Sequence, residues 1–201
     1  MTYVLGLTGG IASGKSTVSR YFLKHNIPVV DADVGARIVI EPGTEALEKV
    51  QNLFGEEILL ENGELNRKKL GELIFSDPLK RKQLNDCLSY YIREWILSEK
   101  DRLITSGHEL IVLDIPLLFE AGYKKDVDEI MVVAVDKETQ LARLMKRNKL
   151  SQAEALQRIE SQMELSEKVD QSDYVIYNNG TLENTMSQVD EWLISKGYYS
   201  T

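Results

Sequence analysis

Residues 9–16 place glycines, a lysine and a serine at spacings that suit the binding of an anion. The run reads Gly9-Gly10-Ile11-Ala12-Ser13-Gly14-Lys15-Ser16 and matches G-x-x-x-x-G-K-[ST] at every fixed position. Glycines let the backbone bring its N–H groups close to phosphate oxygens, Lys15 adds a point charge, and the Ser16 hydroxyl can bind Mg²⁺. Thr17 follows at the start of a predicted helix. The pattern predicts a nucleoside triphosphate site but does not separate a kinase from a GTPase or a motor ATPase.

Two carboxylates follow the second predicted strand. Asp31 and Asp33 come directly after this strand, and Arg37 lies four residues beyond Asp33. Ligands of doubly wound sheets bind beyond the carboxyl ends of the strands. Asp33 is therefore a candidate base for an acceptor hydroxyl, with Arg37 one helical turn along on the same face. The alternative is that Asp31 or Asp33 simply caps a helix.

A third acidic position ends an apolar run. Residues 110–113 are all apolar and Asp114 follows them, as in a Walker-B-like strand whose acid holds Mg²⁺ directly or through water. We expect Asp114 and Ser16 to share that metal. Phe119, five residues further on, is a candidate for the acceptor pocket, although a core phenylalanine would fit the pattern equally well.

Basic residues gather after the fourth predicted strand. Arg143 and Arg147 are spaced i, i+4 and share a helix face, which predicts a basic lid over the phosphates at about residues 143–165. Arginines there could stabilise the charge of a phosphoryl group in transfer. The alternative is a solvated basic face paired with nearby glutamates. Beyond the last strand, Asn178 is a candidate adenine contact or an ordinary turn residue.

Short apolar runs alternate with longer helical patterns along the chain. The predicted strands are 3–7, 28–30, 110–113, 129–135 and 174–177, and the main predicted helices are 15–25, 137–147, 151–165 and 181–195. This alternation predicts an α/β fold with a doubly wound five-stranded parallel sheet. Residues 34–108 break the rhythm and read as a helical insertion, with Pro78 at the first position of a helix. The core would then be 1–33 and 109–201.

Composition narrows the class of protein. The chain has 201 residues, a formal net charge of −8 and one cysteine. An acidic chain disfavours nucleic-acid binding, and no apolar run approaches the roughly 20 residues that span a bilayer. The N-terminus reads as a strand rather than a secretory signal. We expect a cytoplasmic enzyme without nucleic-acid or membrane partners; the sequence does not fix its oligomeric state, and a monomer is favoured.

Taken together, several motifs resemble bacterial dephospho-coenzyme A kinases over essentially the whole chain. The matching pieces are residues 6–17, Asp31-Ala32-Asp33, Gly63 to Arg67, Pro116-Leu117-Leu118-Phe119-Glu120, Arg158 to Gln162 and Asp173 to Gly180. The resemblance implies a P-loop kinase with a coenzyme A-binding subdomain at 34–108 and a lid. It implies ATP, Mg²⁺ and dephospho-coenzyme A as ligands, transfer to the ribose 3′-hydroxyl, and Asp33 as the base. Where the family usually has His-Pro, this chain has Ser89-Tyr90.

Three other functions stay open on the motifs alone. A GTPase would need Asn-Lys-x-Asp, and the nearest stretch, Asn148-Lys149-Leu150-Ser151, lacks the aspartate. A non-catalytic ATP-binding regulatory module would not need both Lys15 and Asp33. A kinase of another nucleoside-like acceptor is rejected only by the family resemblance.

Overall fold

A five-stranded sheet forms the centre of the computed structural model, which describes residues 2–75 and 77–198. Its strands are β1 (Tyr3–Gly9), β2 (Val29–Asp31), β3 (Leu110–Asp114), β4 (Glu129–Ala134) and β5 (Tyr174–Tyr177). The strand order is β2-β3-β1-β4-β5, and β1 pairs in parallel with both β3 and β4. This confirms the predicted doubly wound parallel sheet.

Helices fill the segments between and beyond the strands. They are α1 (Lys15–Lys24), α2 (Ala32–Ile38), α3 (Glu45–Phe54), α4 (Arg67–Phe75), α5 (Pro78–Thr105), α6 (Lys137–Asn148), α7 (Gln152–Glu160), α8 (Leu165–Asp170) and α9 (Leu182–Ser195). Short 3₁₀ turns lie at Glu56–Ile58 and Tyr123–Asp126. Within the described ranges, no helix combines the length and apolar character needed to cross a bilayer.

One helix prediction was wrong. The single helix predicted over 151–165 is two helices, α7 and α8, separated by residues 161–164. The Met163 N–H donates to the Glu120 carboxylate at 3.1 Å. This N–H therefore has a partner distant in the sequence, which local helical periodicity cannot reveal.

The sheet is buried between helices, as its sequence requires. All five residues of β3 and all six of β4 are buried, which explains their nearly continuous apolar composition. Phe22 of α1 and Trp192 of α9 pack against one face of this sheet. Their rings contact each other edge to face, with centroids 6.1 Å apart. The strand core therefore holds the ends of β1 and β3 at fixed positions.

The chain divides into two compact units. One comprises residues 1–30 and 103–201, and the other comprises residues 31–102. The second unit is helical, with an apolar cluster that includes Val50, Ile58 and Leu84. Pro78 is the first residue of α5, as predicted, and α5 runs unbroken through Ser89-Tyr90. A proline at position 90 would remove one backbone donor from that helix.

Candidate active site

The loop between β1 and α1 turns sharply and leaves the helix start open to an anion. Ala12 and Gly14 adopt left-handed conformations, with φ of 61° and 96°. The Ser13 N–H donates to the Gly10 carbonyl at 3.1 Å, which closes the turn. Among the described residues, no side chain caps the beginning of α1. The first N–H groups of α1 and the positive end of its dipole are thus suited to phosphate binding.

Two glycines of the loop are required by close packing. A Cβ on Gly9 would lie 2.6 Å from the Val133 carbonyl oxygen, and one on Gly14 would lie 2.0 Å from the Asn178 side-chain nitrogen. Gly14 also has a positive φ, which a β-carbon strains. The fixed glycines of the motif therefore serve the local packing as well as the approach of a ligand.

Lys15 and Asp114, both predicted from the sequence, contact each other directly. The Lys15 ammonium forms an ion pair with the Asp114 carboxylate, whose side chain is 3% exposed. Ser16, the next residue, is exposed at the start of α1. The predicted phosphate-binding cation and the predicted Walker-B-like acid therefore meet at the carboxyl ends of β1 and β3, and the exposed Ser16 follows Lys15 in the chain.

Asn178 supports the phosphate-binding loop from below. Its side-chain amide donates to the Ser13 carbonyl at 2.8 Å and accepts from the Thr185 hydroxyl at 2.8 Å. Its main-chain carbonyl accepts from the Arg143 guanidinium at 2.9 Å. Two predicted nucleotide contacts, Asn178 and Arg143, are thus linked to each other, and Thr185 is a supporting residue that carried no signal in the sequence.

Two glutamines hold the Ile11 peptide group. The Gln140 side chain donates to the Ile11 carbonyl at 3.0 Å, and the Ile11 N–H donates to the Gln162 side chain at 3.2 Å. Gln140 lies on α6, just before the predicted lid, and Gln162 lies between α7 and α8, near the end of that lid. Side chains on both sides of the lid segment therefore contact the loop. Sequence reasoning missed Gln140, because a glutamine inside an amphipathic helix looks like any other polar residue.

The outer part of the predicted lid is solvent-exposed. Arg147 is exposed and its guanidinium donates to the Asn148 side chain at 2.9 Å. Ser151 and Glu154 form the predicted capping box at the start of α7. Arg147 therefore has no fixed contact with the phosphate-binding loop among the described residues, and its role stays a prediction.

Comparison with known proteins decides the family. Residues 3–184 match the family model described as dephospho-CoA kinase. The chain belongs to the dephospho-CoA kinase family. As a member of this kinase family the chain is a phosphotransferase, which confirms the predicted reaction class and rejects the GTPase and the non-catalytic module.

Individual dephospho-CoA kinases are similar over nearly the full chain. The Listeria monocytogenes serovar 1/2a enzyme is 50% identical over 189 residues, which are 94% of both chains. The Bacillus cereus (strain ATCC 10987) enzyme is 52% identical over 190 residues, covering 94% of this chain and 95% of its own. The solved dephospho-CoA kinase of Campylobacter jejuni superposes with a TM-score of 0.75 at 29% identity, covering 99% and 100% of the two chains.

More distant kinases share the fold alone. Shikimate kinase from Aquifex aeolicus superposes with a TM-score of 0.53 at 17% identity, covering 96% of this chain and 98% of its own. This likeness supports the P-loop kinase architecture of the dephospho-CoA kinase family and carries no information about the acceptor.

In the helical unit, the two neighbouring aspartates have different environments. The Asp31 carboxylate caps α2 by accepting from the N–H groups of Asp33 and Val34. Asp33 and Arg37 are both exposed on α2, so neither is sealed under packed side chains. Gly35 lies against Trp95, since a Cβ there would be 2.4 Å from the indole ring. The capping alternative thus holds for Asp31, and the catalytic role of Asp33 stays a prediction.

Phe119 is half-buried in the segment that follows Asp114. This exposure fits a contact with a ligand as well as a place at the edge of the core. Its assignment to the acceptor pocket stays a prediction.

Proposed function

We propose that this dephospho-CoA kinase family member transfers the γ-phosphoryl group of ATP to the ribose 3′-hydroxyl of dephospho-CoA, giving CoA and ADP. The observation that carries the proposal is the family match over residues 3–184, together with an intact phosphate-binding loop. The γ-phosphorus–oxygen bond of ATP breaks, a bond to the acceptor oxygen forms, and the hydroxyl proton passes to a base.

Residues 9–17 would hold the ATP phosphates through backbone N–H groups and the Lys15 ammonium. The ion pair of Lys15 with Asp114 keeps the ammonium at the end of β1, beside the loop. Asn178 supports the same loop through the Ser13 carbonyl. A rigid cradle of this kind positions the γ-phosphoryl group without reorganisation during the reaction.

Ser16 and Asp114 are the residues that would hold Mg²⁺. A hydroxyl and a carboxylate are hard oxygen donors of the kind that Mg²⁺ prefers, and the exposed Ser16 is accessible to a bound nucleotide. Among residues 2–75 and 77–198, no group of three or more His, Cys, Asp or Glu residues could hold a metal by itself. Phosphate oxygens and water would therefore supply most of the ligands. When bound, Mg²⁺ offsets negative charge on the β- and γ-phosphates.

Asp33 is our candidate for the base that orients the 3′-hydroxyl and accepts its proton. Its exposure on α2 leaves the carboxylate accessible to a substrate. Arg37 lies one helical turn along and offers charge to an anionic acceptor, and Phe119 offers apolar contact. In this proposal the helical unit, predicted at 34–108, binds coenzyme A.

Arg143 and Arg147 would offset the charge of the phosphoryl group in transfer. One guanidinium nitrogen of Arg143 is occupied by the Asn178 carbonyl, but a guanidinium has five N–H donors and can bind a second acceptor. Arg147 is exposed, so its guanidinium is accessible to a bound nucleotide. Closure of the lid, at about 143–165, would exclude water that competes with the acceptor.

We further propose that the enzyme is cytoplasmic and monomeric. The single cysteine of the chain, Cys87, is unpaired in the structure and suits a reducing compartment. Light scattering of the purified protein would test the monomer, and fractionation of cells would test the location.

A parallel acceptor assay tests the proposed function. The protein would be offered ATP and Mg²⁺ with dephospho-CoA, AMP or adenosine, and the position of the new phosphate would be read by phosphorus NMR. We expect efficient phosphorylation of dephospho-CoA alone, at the 3′-hydroxyl, and no transfer when the divalent cation is chelated. Equal phosphorylation of AMP or adenosine, or reaction at the 2′-hydroxyl, would overturn the assignment.

A further inference from the structure

Lys168 of α8 is a fully buried cation outside the residues discussed above. Its side chain is 0% exposed, and its ammonium forms an ion pair with the Glu120 carboxylate at 2.9 Å. The same ammonium donates to the Pro116 carbonyl at 3.1 Å. Burying a lysine is unfavourable unless it is paired, and these two acceptors meet that requirement.

One partner of Lys168, the Pro116 carbonyl, also contacts the residue that precedes the phosphate-binding loop. The Pro116 carbonyl accepts a second hydrogen bond, at 3.0 Å, from the hydroxyl of Thr8. Thr8 is the residue before Gly9, where the loop begins. The Lys168 ammonium therefore shares one acceptor with the last part of β1.

The other partner of Lys168, the Glu120 carboxylate, also contacts the backbone near the end of the predicted lid. It accepts from the Met163 N–H at 3.1 Å, and the neighbouring Gln162 side chain accepts from the Ile11 N–H at 3.2 Å. Residues 161–164, between α7 and α8, are called the lid joint below. The joint is thus fixed on one side to Glu120 and on the other side to the loop.

Stability alone is a weak reason for a charged group at this position. Replacing a buried ion pair by apolar side chains of similar volume is often neutral or stabilising, so such a pair is weak evidence for a stabilising role. A lysine at position 168 instead fixes the positions of its partners, because its ammonium must contact both the Glu120 carboxylate and the Pro116 carbonyl. Fixing Glu120 in turn fixes the N–H of the joint.

We propose that Lys168 is a positioning residue that acts through Glu120 to hold the lid joint against the phosphate-binding loop. The proposal rests on the proposed function, because it concerns the lid of that kinase. Lys168 does not touch substrate. It sets the geometry in which the lid closes, and hence how well water is kept from the γ-phosphoryl group.

The test compares Lys168→Met with a matched control, Lys196→Met. Lys196 is also ion-paired with a glutamate, Glu129. Glu129 is the first residue of β4, so this pair lies at the ends of the strands opposite to the phosphate-binding loop. CoA and ADP would be measured in parallel at saturating substrates. For Lys168→Met we expect kcat to fall roughly 10- to 100-fold, the scale of a displacement of about 1 Å at a reacting centre. The ratio of ADP to CoA should rise above that of the unaltered protein, while the KM for ATP changes less than kcat.

A merely structural role would give a different pattern. Both variants should lower the melting temperature, but only Lys168→Met should raise the ADP-to-CoA ratio and speed amide exchange in the lid joint. A Lys168→Met protein with unaltered kcat and ratio would overturn the proposal, as would an equal rise in the Lys196→Met protein.

Glu120→Gln provides a second variant if Lys168→Met does not fold. It keeps the size of the side chain and an acceptor for Met163 while removing the charge that holds Lys168. We expect the same change in the ADP-to-CoA ratio with a smaller loss of kcat, and an unchanged ratio would overturn the proposal. Failure of the unaltered protein to phosphorylate dephospho-CoA would instead reject the proposed function, so the two failures are distinguishable.

Discussion

Lys15 and Asp114, which are 99 residues apart in the chain, form an ion pair at the carboxyl ends of two neighbouring strands. The register of β1 and β3 places Leu7 opposite Asp114, so the acid lies next to the start of the phosphate-binding loop. The pair keeps a buried carboxylate compensated and holds the ammonium where phosphates would bind. Both partners therefore have a structural role and a proposed catalytic role at once.

Replacing Lys15, with Lys24 as a control, distinguishes the two roles of the Lys15 ammonium from a general effect of removing a positive charge. Lys15→Ala should weaken ATP binding roughly 10- to 100-fold, since a hydrogen bond to a charged group contributes about 1.5–3 kcal/mol. The variant should also unfold more easily, because the Asp114 carboxylate stays buried without this cation. Titration calorimetry with ATP measures the first effect. Lys24→Ala, in the last turn of the same helix, is the control, and tight ATP binding by Lys15→Ala would contradict the phosphate-cradle interpretation.

The helical unit offers an unusually close pair of test positions. Asp33→Asn should lower turnover by about 10²-fold or more, the scale of a general base, with ATP affinity nearly unchanged. Asp31→Asn is the matched control, because asparagine caps a helix about as well as aspartate and should leave turnover near normal. Steady-state CoA formation distinguishes the two. Near-normal turnover of Asp33→Asn would remove Asp33 from the role of base.

Features that depend on neighbouring residues could be read from the sequence. The sequence predicts the phosphate-binding loop because glycines, a lysine and a serine fall at fixed spacings within eight consecutive residues. Pro78 was correctly placed at the first position of a helix, since a proline lacks only an N–H that would have no helical partner there. The apolar runs of β3 and β4 were recognised because strands buried on both faces need no polar alternation.

Contacts between distant residues could not be read in the same way. The bond from Asn178 to the Ser13 carbonyl spans 165 residues, and nothing in the turn sequence indicates that the amide faces the loop. Between α7 and α8, the Met163 N–H donates to Glu120, which lies 43 residues earlier in the chain. Lys168 gave no signal because a lysine in a short helix normally lies in solvent, and only the fold shows that it is buried.

Gly14→Ala tests whether the packing of the loop matters for nucleotide binding. Its Cβ would lie 2.0 Å from the Asn178 nitrogen, which is fixed by its bond to Ser13, so the loop must shift. We expect the KM for ATP to rise roughly tenfold or more. Gly107→Ala is the control, since Gly107 has a similar φ of 82° but no neighbour within 4 Å of the added carbon. In both variants, backbone strain should lower the free energy of unfolding by about 1 kcal/mol. An equal rise in the KM for ATP in both variants would contradict the packing argument.

Glu129 provides a test of pH dependence at the other end of the sheet. Burial by itself raises the pKa of this carboxyl, but hydrogen bonds from Lys196, Tyr3 and Trp192 outweigh it and leave the pKa below its usual 4.5. A carboxyl with a lowered pKa stabilises the folded state fully above about 4.5 and loses that contribution as pH falls through the folded-state value. The Lys196 pKa is raised, mainly by its bond to Glu129, so its contribution is lost only in strongly alkaline solution.

Glu129→Gln should therefore lower the free energy of unfolding by roughly 1–2 kcal/mol at neutral pH, because it removes a charged hydrogen-bond acceptor. The difference from the unaltered protein should narrow as the pH is lowered below about 4.5, where the glutamate itself becomes protonated. Urea unfolding at a series of pH values measures this difference. Glu191→Gln, an exposed position on α9, is the control and should change little. A difference between Glu129→Gln and the unaltered protein that stays constant from neutral to acid pH would show that the carboxylate charge does not contribute.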